Sequence, residues 1–398
     1  MFAAVQLAPR DPILGMTEAF NADTRTNKVN LGVGVYYDDN GKLPLLAAVR
    51  EAEKTRLEAA PARGYLPIEG FGAYTQAVQQ LLFGKDSPLL AAGRVATFEA
   101  LGGTGGLKIG ADFLKRLAPN AEVWISDPSW ENHRALFEGA GFKVNAYPYY
   151  DSATHGVNFQ GMLAALNAMP AGSIVVLHAC CHNPTRVDLS VEQWKQEVEA
   201  VRSRGLVAFL DMAYQGFGDG IEEDAAALRL FADSGLPFFV SSSFSKSFSL
   251  YGERVGALSI VTLDRDETAR VTSQVKRVIR TNYSNPPTHG AAIVAAVLST
   301  PELRKLWEQE LAGMRERIRQ MRVQLVEKLK ARGVKQDFSF VTTQRGMFSY
   351  SGLTSAQVDR LREEFGIYAI ATGRICLAAL NSRNIDAVAD AIAKVVAE

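Results

Sequence analysis

Cysteine is scarce in this sequence. There are 3 cysteines among 398 residues, and two of them, Cys180 and Cys181, are adjacent. With the third at Cys376, they offer neither a disulfide framework nor the ligand spacing of a zinc site. We therefore expect a protein of a reducing compartment that has no structural disulfide and no bound metal.

The sequence also lacks an excess of charge and any long apolar run. Lys plus Arg is 43 and Asp plus Glu is 43, so the formal net charge is +0. No overall field attracts phosphate backbones or anionic lipids, and no run approaches the roughly 20 apolar residues of a membrane helix. The first residues lack the pattern of a secretory signal. These absences predict a cytoplasmic protein that binds neither nucleic acid nor membrane.

The composition that remains is that of a folded α/β protein. Hydrophobic residues make up 47% of the chain, and Gly 33 and Pro 15 are too few for a disordered chain. Short β-branched runs alternate with helical patterns, such as the helix that begins at a Ser190–Gln193 capping box and ends at Gly205. This rhythm predicts βαβ units and a mainly parallel sheet flanked by helices. We predict strands at 122–126, 143–147, 173–179, 206–211, 237–241 and 255–262.

The last third of the chain has a different pattern. Apolar residues recur at spacings of three and four over 301–332, which predicts one long amphipathic helix that ends at Gly333. Strands within 338–350 and 367–380, and a helix capped by Thr354, predict a smaller α+β domain assembled from both chain ends. The length permits two or three domains. We predict an N-terminal arm (1–12), a small domain (13–43 and 314–398) and a large domain (44–313).

Polar side chains follow each predicted strand of the middle region. Ligands of open parallel sheets bind beyond the carboxyl ends of the strands, so these residues are expected to form one site. They are Asp127, Trp130, His133, Asn183, Asp211, Tyr214, Ser243, Ser245, Lys246 and Arg254.

Lys246 and Asp211 have the side chains that pyridoxal phosphate chemistry uses. A deprotonated amine attacks a carbonyl to form a Schiff base, and a cation such as Arg254 favours that form. A carboxylate such as Asp211 keeps a pyridine nitrogen protonated. Taken alone, Lys246 could equally be a solvated loop lysine, and Asp211 a turn or helix-capping residue.

A glycine-rich turn at 102–106 precedes an amphipathic helical pattern. Backbone N–H groups at such a helix start can bind phosphate, with Ser243, Ser245 and Arg254 as further donors. The turn lacks the Lys-Ser/Thr of a P-loop and does not follow a first strand in the Rossmann manner. An alternative is the nicotinamide site of a dehydrogenase. We discount it because Glu122, at the expected position of the acidic residue, begins a strand instead of ending one.

Several long motifs are similar to those of a known family. They are SSSFSKSFSLYGERVGALS, CCHNPT, SDPSWENH, LGGTGG, DMAYQGFGDG, RTNYSNPP and GRICLAALN. Together they resemble the class I (fold type I) pyridoxal-phosphate-dependent aminotransferases of the aspartate and aromatic-amino-acid branch, over essentially the whole chain. The resemblance is greatest to bacterial aromatic-amino-acid (tyrosine) aminotransferases.

The resemblance implies a function and an assembly. It implies reversible two-step transamination through pyridoxal 5'-phosphate. The amino donor would be an aromatic L-amino acid, aspartate or glutamate, and the acceptor would be a 2-oxo acid such as 2-oxoglutarate. A dedicated aspartate aminotransferase is the alternative within the family, and a non-catalytic protein of the same fold is the alternative outside it. The resemblance also implies a homodimer with shared active sites.

The resemblance further implies residue roles. Lys246 would hold the cofactor covalently and move the proton, with Asp211, supported by His133, and Tyr214 as the other catalytic residues. The cofactor-binding residues would be Gly103, Thr104, Trp130, Asn183, Asp211, Tyr214, Ser243, Ser245, Lys246, Arg254 and, from the neighbouring subunit, Tyr65. The substrate-binding residues would be Gly34, Trp130, Asn183, Arg280, Phe348 and Arg374.

The sequence departs from the family pattern at two positions. Arg186 stands where the family motif HNPTG has glycine. If that position requires a positive φ, arginine there costs about 1–2 kcal/mol of strain. Gly106 stands where alanine is usual, and we expect it only to loosen the start of a helix.

Overall fold

A computed structural model of the chain describes residues 1–9 and 11–397. Arg10, in the predicted arm, and Glu398, in the predicted small domain, lie outside the described residues. The chain divides into two units, one of residues 44–315 and the other of residues 1–43 with those from 316 onward. In the described residues, no helix combines the length and the apolar character needed to cross a membrane.

Helices and strands alternate along most of the chain. The helices are α1 (Pro12–Ala22), α2 (Ala47–Ala59), α3 (Gly72–Phe83), α4 (Pro88–Ala91), α5 (Gly102–Leu117), α6 (Glu131–Gly139), α7 (Phe159–Ala168), α8 (Val191–Arg204), α9 (Ala226–Ser234), α10 (Arg265–Arg280), α11 (His289–Ser299), α12 (Pro301–Ala331), α13 (Ser355–Phe365) and α14 (Ile385–Val396). The strands are β1 (Val29–Asn30), β2 (Val95–Leu101), β3 (Val123–Asp127), β4 (Val144–Pro148), β5 (Tyr150–Asp151), β6 (Gly156–Val157), β7 (Ile174–His178), β8 (Val207–Met212), β9 (Phe238–Ser243), β10 (Val255–Val261), β11 (Phe348–Tyr350), β12 (Ile367–Tyr368) and β13 (Arg374–Cys376).

The unit of residues 44–315 is built on a seven-stranded sheet. Its strand order is β2-β10-β9-β8-β7-β3-β4. β10 runs antiparallel to β2 and β9, and the other neighbouring strands are parallel. The prediction of a mainly parallel sheet flanked by helices is confirmed, and each of the six predicted strands is present within two residues of its expected bounds.

The sequence reasoning missed β2, which runs directly into α5. The glycine-rich turn therefore does follow a strand, but β2 is an edge strand antiparallel to β10, unlike the parallel first strand of a Rossmann unit. β2 carries the buried polar residues Thr97 and Glu99, which weaken the apolar signal of a strand. The hydroxyl of Thr97 lies 2.9 Å from that of Ser259 in the neighbouring β10, so its partner comes from a distant part of the chain.

Helix α5 is held against the sheet by its apolar face. Phe113 packs on Phe239, with ring centroids 6.2 Å apart. A Cβ at Gly110 would lie 2.5 Å from the ring of Phe209, so the glycine lets the helix approach the sheet closely. This packing keeps the N-terminus of α5 at the carboxyl end of β2.

The other unit contains short sheets and helices. β1 pairs in parallel with β12, and β11 pairs antiparallel with β13. The predicted capping box of α13 is present at Thr354 and Gln357, and the helix ends at Gly366. The predicted strand regions 338–350 and 367–380 contain only β11 and the short pair β12 and β13. A 3₁₀ helix at Ser339–Thr343 precedes β11, and another at Leu377–Ala379 follows β13.

Candidate active site

The start of α5 is open to an anion because its first two residues, Gly102 and Gly103, carry no side chains. Gly102 has φ 69° and donates its N–H to the carbonyl of Arg254 at 3.1 Å. A Cβ would lie 2.3 Å from Arg254 Nη2 at Gly102 and 3.2 Å from Ser243 Cβ at Gly103. The first N–H groups of a helix lack partners within the helix and form its positive end. Glycine therefore permits this end and the side chains of Ser243 and Arg254 to converge.

Hydroxyl groups and a guanidinium face the same helix start. Arg254 Nη1 donates to Ser245 Oγ at 3.1 Å, and Ser245 N donates to Ser243 Oγ at 3.3 Å. The structure thus brings Gly103, Ser243, Ser245 and Arg254 together, and Thr104 follows in the first turn of α5. This set of donors has the chemistry of a phosphate site. We call it the anion cradle.

Gly106 does more than loosen the start of α5. A Cβ at this position would lie 2.5 Å from Ser241 Oγ and 2.9 Å from the carbonyl oxygen of Ala257. The Ser241 hydroxyl donates to the carbonyl of Gly103 at 2.7 Å, in the same turn of the helix. Glycine at 106 therefore makes room for the serine that fixes the cradle.

A buried carboxylate and histidine lie at the carboxyl end of the sheet. His133 Nε2 donates to Asp211 Oδ2 at 2.7 Å, and His133 Nδ1 lies 2.9 Å from Ser129 Oγ. Burial acts most strongly on the pKa of Asp211 and tends to raise it. The His133 hydrogen bond and the charge of Lys246 nevertheless hold this pKa below its ordinary value. Asp211 is thus a buried anion whose carboxylate is held in one orientation by His133.

Two further histidines adjoin this pair, and the sequence reasoning missed them. The ring centroid of His178 lies 4.9 Å from that of His133 and 4.2 Å from that of His182. The ring of His182 stacks on Tyr149 at 3.8 Å. Burial lowers the pKa values of His178 and His182 well below the ordinary value, so both are neutral. The rule that ligands bind beyond strand ends could have identified both histidines, because they lie at the carboxyl end of β7, as Asn183 does.

Lys246 and Arg186 both contact Tyr214. Lys246 Nζ lies 4.8 Å from the ring centroid of Tyr214, and the guanidinium carbon of Arg186 lies 4.4 Å from it. Arg186 is 0% exposed and has φ 61°, so the position does have the positive φ considered from the sequence. Its Nη1 donates to the carbonyl of Cys181 at 2.7 Å.

The remaining predicted residues of this unit lie in two places. Trp130 precedes α6, and its ring meets that of His133 edge to face at 5.3 Å. Asn183 is buried in the loop after β7. Tyr65, 95% exposed, and Arg280, at the end of α10, instead line a surface cavity of about 760 Å³.

The predicted residues of the other unit form a group of their own. The guanidinium carbon of Arg374 lies 4.2 Å from the ring centroid of Phe348, and Nη2 donates to the carbonyl of Gly32 at 3.2 Å. A Cβ at Gly34 would lie 3.5 Å from Phe348 Cζ. The pairing of β11 with β13 brings Arg374 and Phe348 together, and both are buried.

Comparison with known proteins gives consistent matches. The family described as aminotransferase class I and II matches residues 26–392. An aspartate aminotransferase of Pseudomonas aeruginosa is 70% identical over 396 residues, and an aromatic-amino-acid aminotransferase of Escherichia coli is 54% identical over 398, each match covering 100% of both chains. A crystal structure of aromatic-amino-acid aminotransferase from Burkholderia pseudomallei, covalently bound to pyridoxal phosphate, is 72% identical. It superposes with a TM-score of 0.98 and covers 100% of this chain and 99% of that one.

Proposed function

The chain belongs to the class I and II aminotransferases and is a pyridoxal-phosphate-dependent transaminase, and we propose that it accepts both aromatic and dicarboxylic L-amino acids. The partner substrate is a 2-oxo acid such as 2-oxoglutarate, and the exchange is reversible. The similarity to relatives named aspartate aminotransferase and aromatic-amino-acid aminotransferase supports this substrate range. The observation that carries the transamination chemistry is the position of the Lys246 amine, 4.8 Å from the ring centroid of Tyr214. The same unit holds the buried Asp211–His133 pair and the anion cradle.

The residues of this unit fit pyridoxal phosphate. Side chains at Gly102 and Gly103 would fill the cradle, and its donor set of amides, hydroxyls and a guanidinium is that of a phosphate site. A buried carboxylate such as Asp211 is the usual partner of the pyridine nitrogen. We propose that the cofactor is held by Gly103, Thr104, Trp130, Asn183, Asp211, Tyr214, Ser243, Ser245, Lys246 and Arg254.

When bound, the cofactor supplies an electron sink that stabilises negative charge at the substrate α-carbon. In this proposal, Lys246 Nζ binds the cofactor and then carries a proton to and from that carbon. Tyr214 donates its hydroxyl towards the cofactor oxygen and positions Lys246 through its ring. Asp211, ionised and held by His133, keeps a proton on the pyridine nitrogen.

We propose that Arg374 binds the substrate α-carboxylate. A guanidinium binds a carboxylate through two parallel hydrogen bonds, and the packing of Arg374 on Phe348 fixes its direction. Phe348 and Gly34 would line the side-chain region of the substrate, with Trp130 and Asn183 as further contacts. Arg280 would bind a side-chain carboxylate and leave room for an aromatic ring.

We also propose a homodimer in which Tyr65 and Arg280 of each copy complete the site of the other. Tyr65 is almost fully exposed and lies with Arg280 on one surface cavity, as expected of residues that serve a second copy. The unit that joins both chain ends would be the small domain, with residues 1–12 as an arm. We propose a cytoplasmic location because the three cysteines of the sequence offer no disulfide framework.

The test combines absorbance with kinetics. Added pyridoxal phosphate should give a bound absorbance band that survives gel filtration. Lys246→Ala should abolish the band, and the exposed control Lys195→Ala should keep it. A wild-type protein without the band would refute the proposal. Rates with phenylalanine and aspartate, each with 2-oxoglutarate, then decide the substrate range. Turnover of aspartate alone would establish the dedicated aspartate aminotransferase instead.

A further inference from the structure

Arg186 is a buried cation in an unfavourable backbone conformation. It lies in the loop between β7 and α8, is 0% exposed, and is one of the largest fully buried side chains of the protein. Its φ of 61° lies in the left-handed region, which disfavours every residue type with a Cβ. Both the buried charge and the backbone conformation cost stability.

The contacts of Arg186 direct its guanidinium to Tyr214. Nη1 donates to the carbonyl of Cys181 at 2.7 Å, and the backbone N–H of Arg186 donates to the carbonyl of His182 at 2.7 Å. These bonds fix the loop while the guanidinium lies against the ring of Tyr214, a cation–π contact. The position of the Tyr214 ring is therefore coupled to the side chain of Arg186.

Lys246 contacts the same ring. Because the two cationic groups lie 4.4 and 4.8 Å from one ring centroid, their charges are no more than about 9 Å apart. The Asp211 carboxylate, which is held by His133, also interacts electrostatically with Lys246. His178 and His182 also face Arg186 but are neutral, and Asp188 and Asp224 lie near Cys181. Replacing Arg186 therefore changes one fixed charge and leaves these groups in place.

We propose that Arg186 is a positioning residue for transamination, whose guanidinium holds the ring of Tyr214 against Lys246. Its fixed charge would also disfavour positive charge at the nitrogen through which Lys246 would hold the cofactor. The inference rests on the proposed function, since it concerns the nitrogen that binds pyridoxal phosphate. It gives the arginine a role that the family's glycine could not have.

The experiment titrates the absorbance of bound pyridoxal phosphate against pH in four proteins. Arg186→Met removes the charge and keeps the side-chain length, and Arg186→Lys keeps the charge. Arg186→Gly removes the charge and also suits the positive φ, so it should fold even if the methionine variant does not. We expect both neutral variants to raise the titration midpoint by at least about 0.3 pH units at an effective dielectric constant of 80, or at least about 1.3 at 20, because these are the values for charges at the greatest separation of about 9 Å. The lysine variant should stay closer to the wild type.

The outcomes are distinguishable. An unchanged midpoint in a neutral variant that binds the cofactor overturns the inference, and so does an equal shift in Arg186→Lys. Loss of the cofactor from the neutral variants alone supports a role for the charge, whereas loss from all three variants overturns it. A wild-type protein that binds no pyridoxal phosphate refutes the proposed function itself.

Discussion

Glu197 is a buried carboxyl group that should make the stability of the protein depend on pH. It lies on the buried face of α8 beside Trp194 and Val198 and is 0% exposed. Neither of its carboxylate oxygens has a hydrogen-bond partner in the described part of the chain. Burial raises the pKa of Glu197 from 4.5 to about 8.

The sign and size of the effect follow from this shift. Because the pKa is higher in the folded state, folding favours the protonated form. The contribution to stability is therefore fully present below pH 4.5 and is lost as the pH rises to about 8. At about 1.4 kcal/mol per pH unit, the free energy of unfolding falls by about 5 kcal/mol across this window and by about 3 kcal/mol up to pH 7. Glu197→Gln removes this titration and keeps the size of the side chain.

The measurement is urea unfolding of the apoprotein at pH 5, 7 and 8.5. We expect Glu197→Gln to be more stable than the wild type at pH 8.5, and the difference to shrink towards pH 5. Glu199→Gln is the matched control, since Glu199 lies on the same helix, is 69% exposed and pairs with Arg202 at 3.4 Å. The reasoning is refuted if the stability difference between Glu197→Gln and the wild type is the same at all three pH values.

Two further predictions concern the cradle and the proposed carboxylate site. Gly106→Ala should destabilise the protein by about 1–3 kcal/mol because its Cβ overlaps Ser241 Oγ, and adding Ser241→Ala should recover part of that loss in thermal or urea unfolding. Gly139→Ala, whose Cβ would meet nothing within 4 Å, is the control, and equal effects of the two alanines would contradict the reasoning. Arg374→Lys should lower kcat/KM roughly 10- to 100-fold for aromatic and dicarboxylic substrates alike, since lysine cannot form the paired hydrogen bonds. A loss confined to one substrate class would contradict this role.

Much of the fold was predictable because local and tertiary signals agree. The Ser190–Gln193 capping box and Gly205 bound α8 in the sequence, and they bound it in the structure. Strand β2 was missed because Thr97 and Glu99 face the interior. The hydroxyl partner of Thr97 is Ser259, far along the chain, and no local pattern reveals that such a polar residue is satisfied.

In the candidate site too, some residues could be predicted from local sequence patterns, and others depend on contacts between distant parts of the chain. The rule that ligands bind beyond strand ends identified Asp211, Tyr214 and Lys246 from the sequence, and the structure brings them together. The contact of Arg186 with Tyr214 depends on the path of a loop after a different strand, which the sequence does not reveal. His178 was overlooked because a histidine that ends an apolar strand resembles an ordinary core residue, and His182 lies in the loop after that strand.

The position of β10 has a consequence for the order of assembly. β2 is the edge strand of the sheet and pairs with β10, so Leu101 meets Val255. Because the chain is synthesised from its N-terminus, β2 is complete long before β10, the strand with which it pairs. The two sides of the anion cradle, Gly102 just after β2 and Arg254 just before β10, can therefore meet only after Arg254 has been synthesised. A nascent chain that ends before β10 contains β7, β8 and β9 but not the β10 partner of β2, so the proposed cofactor site is completed only after most of this unit has been synthesised.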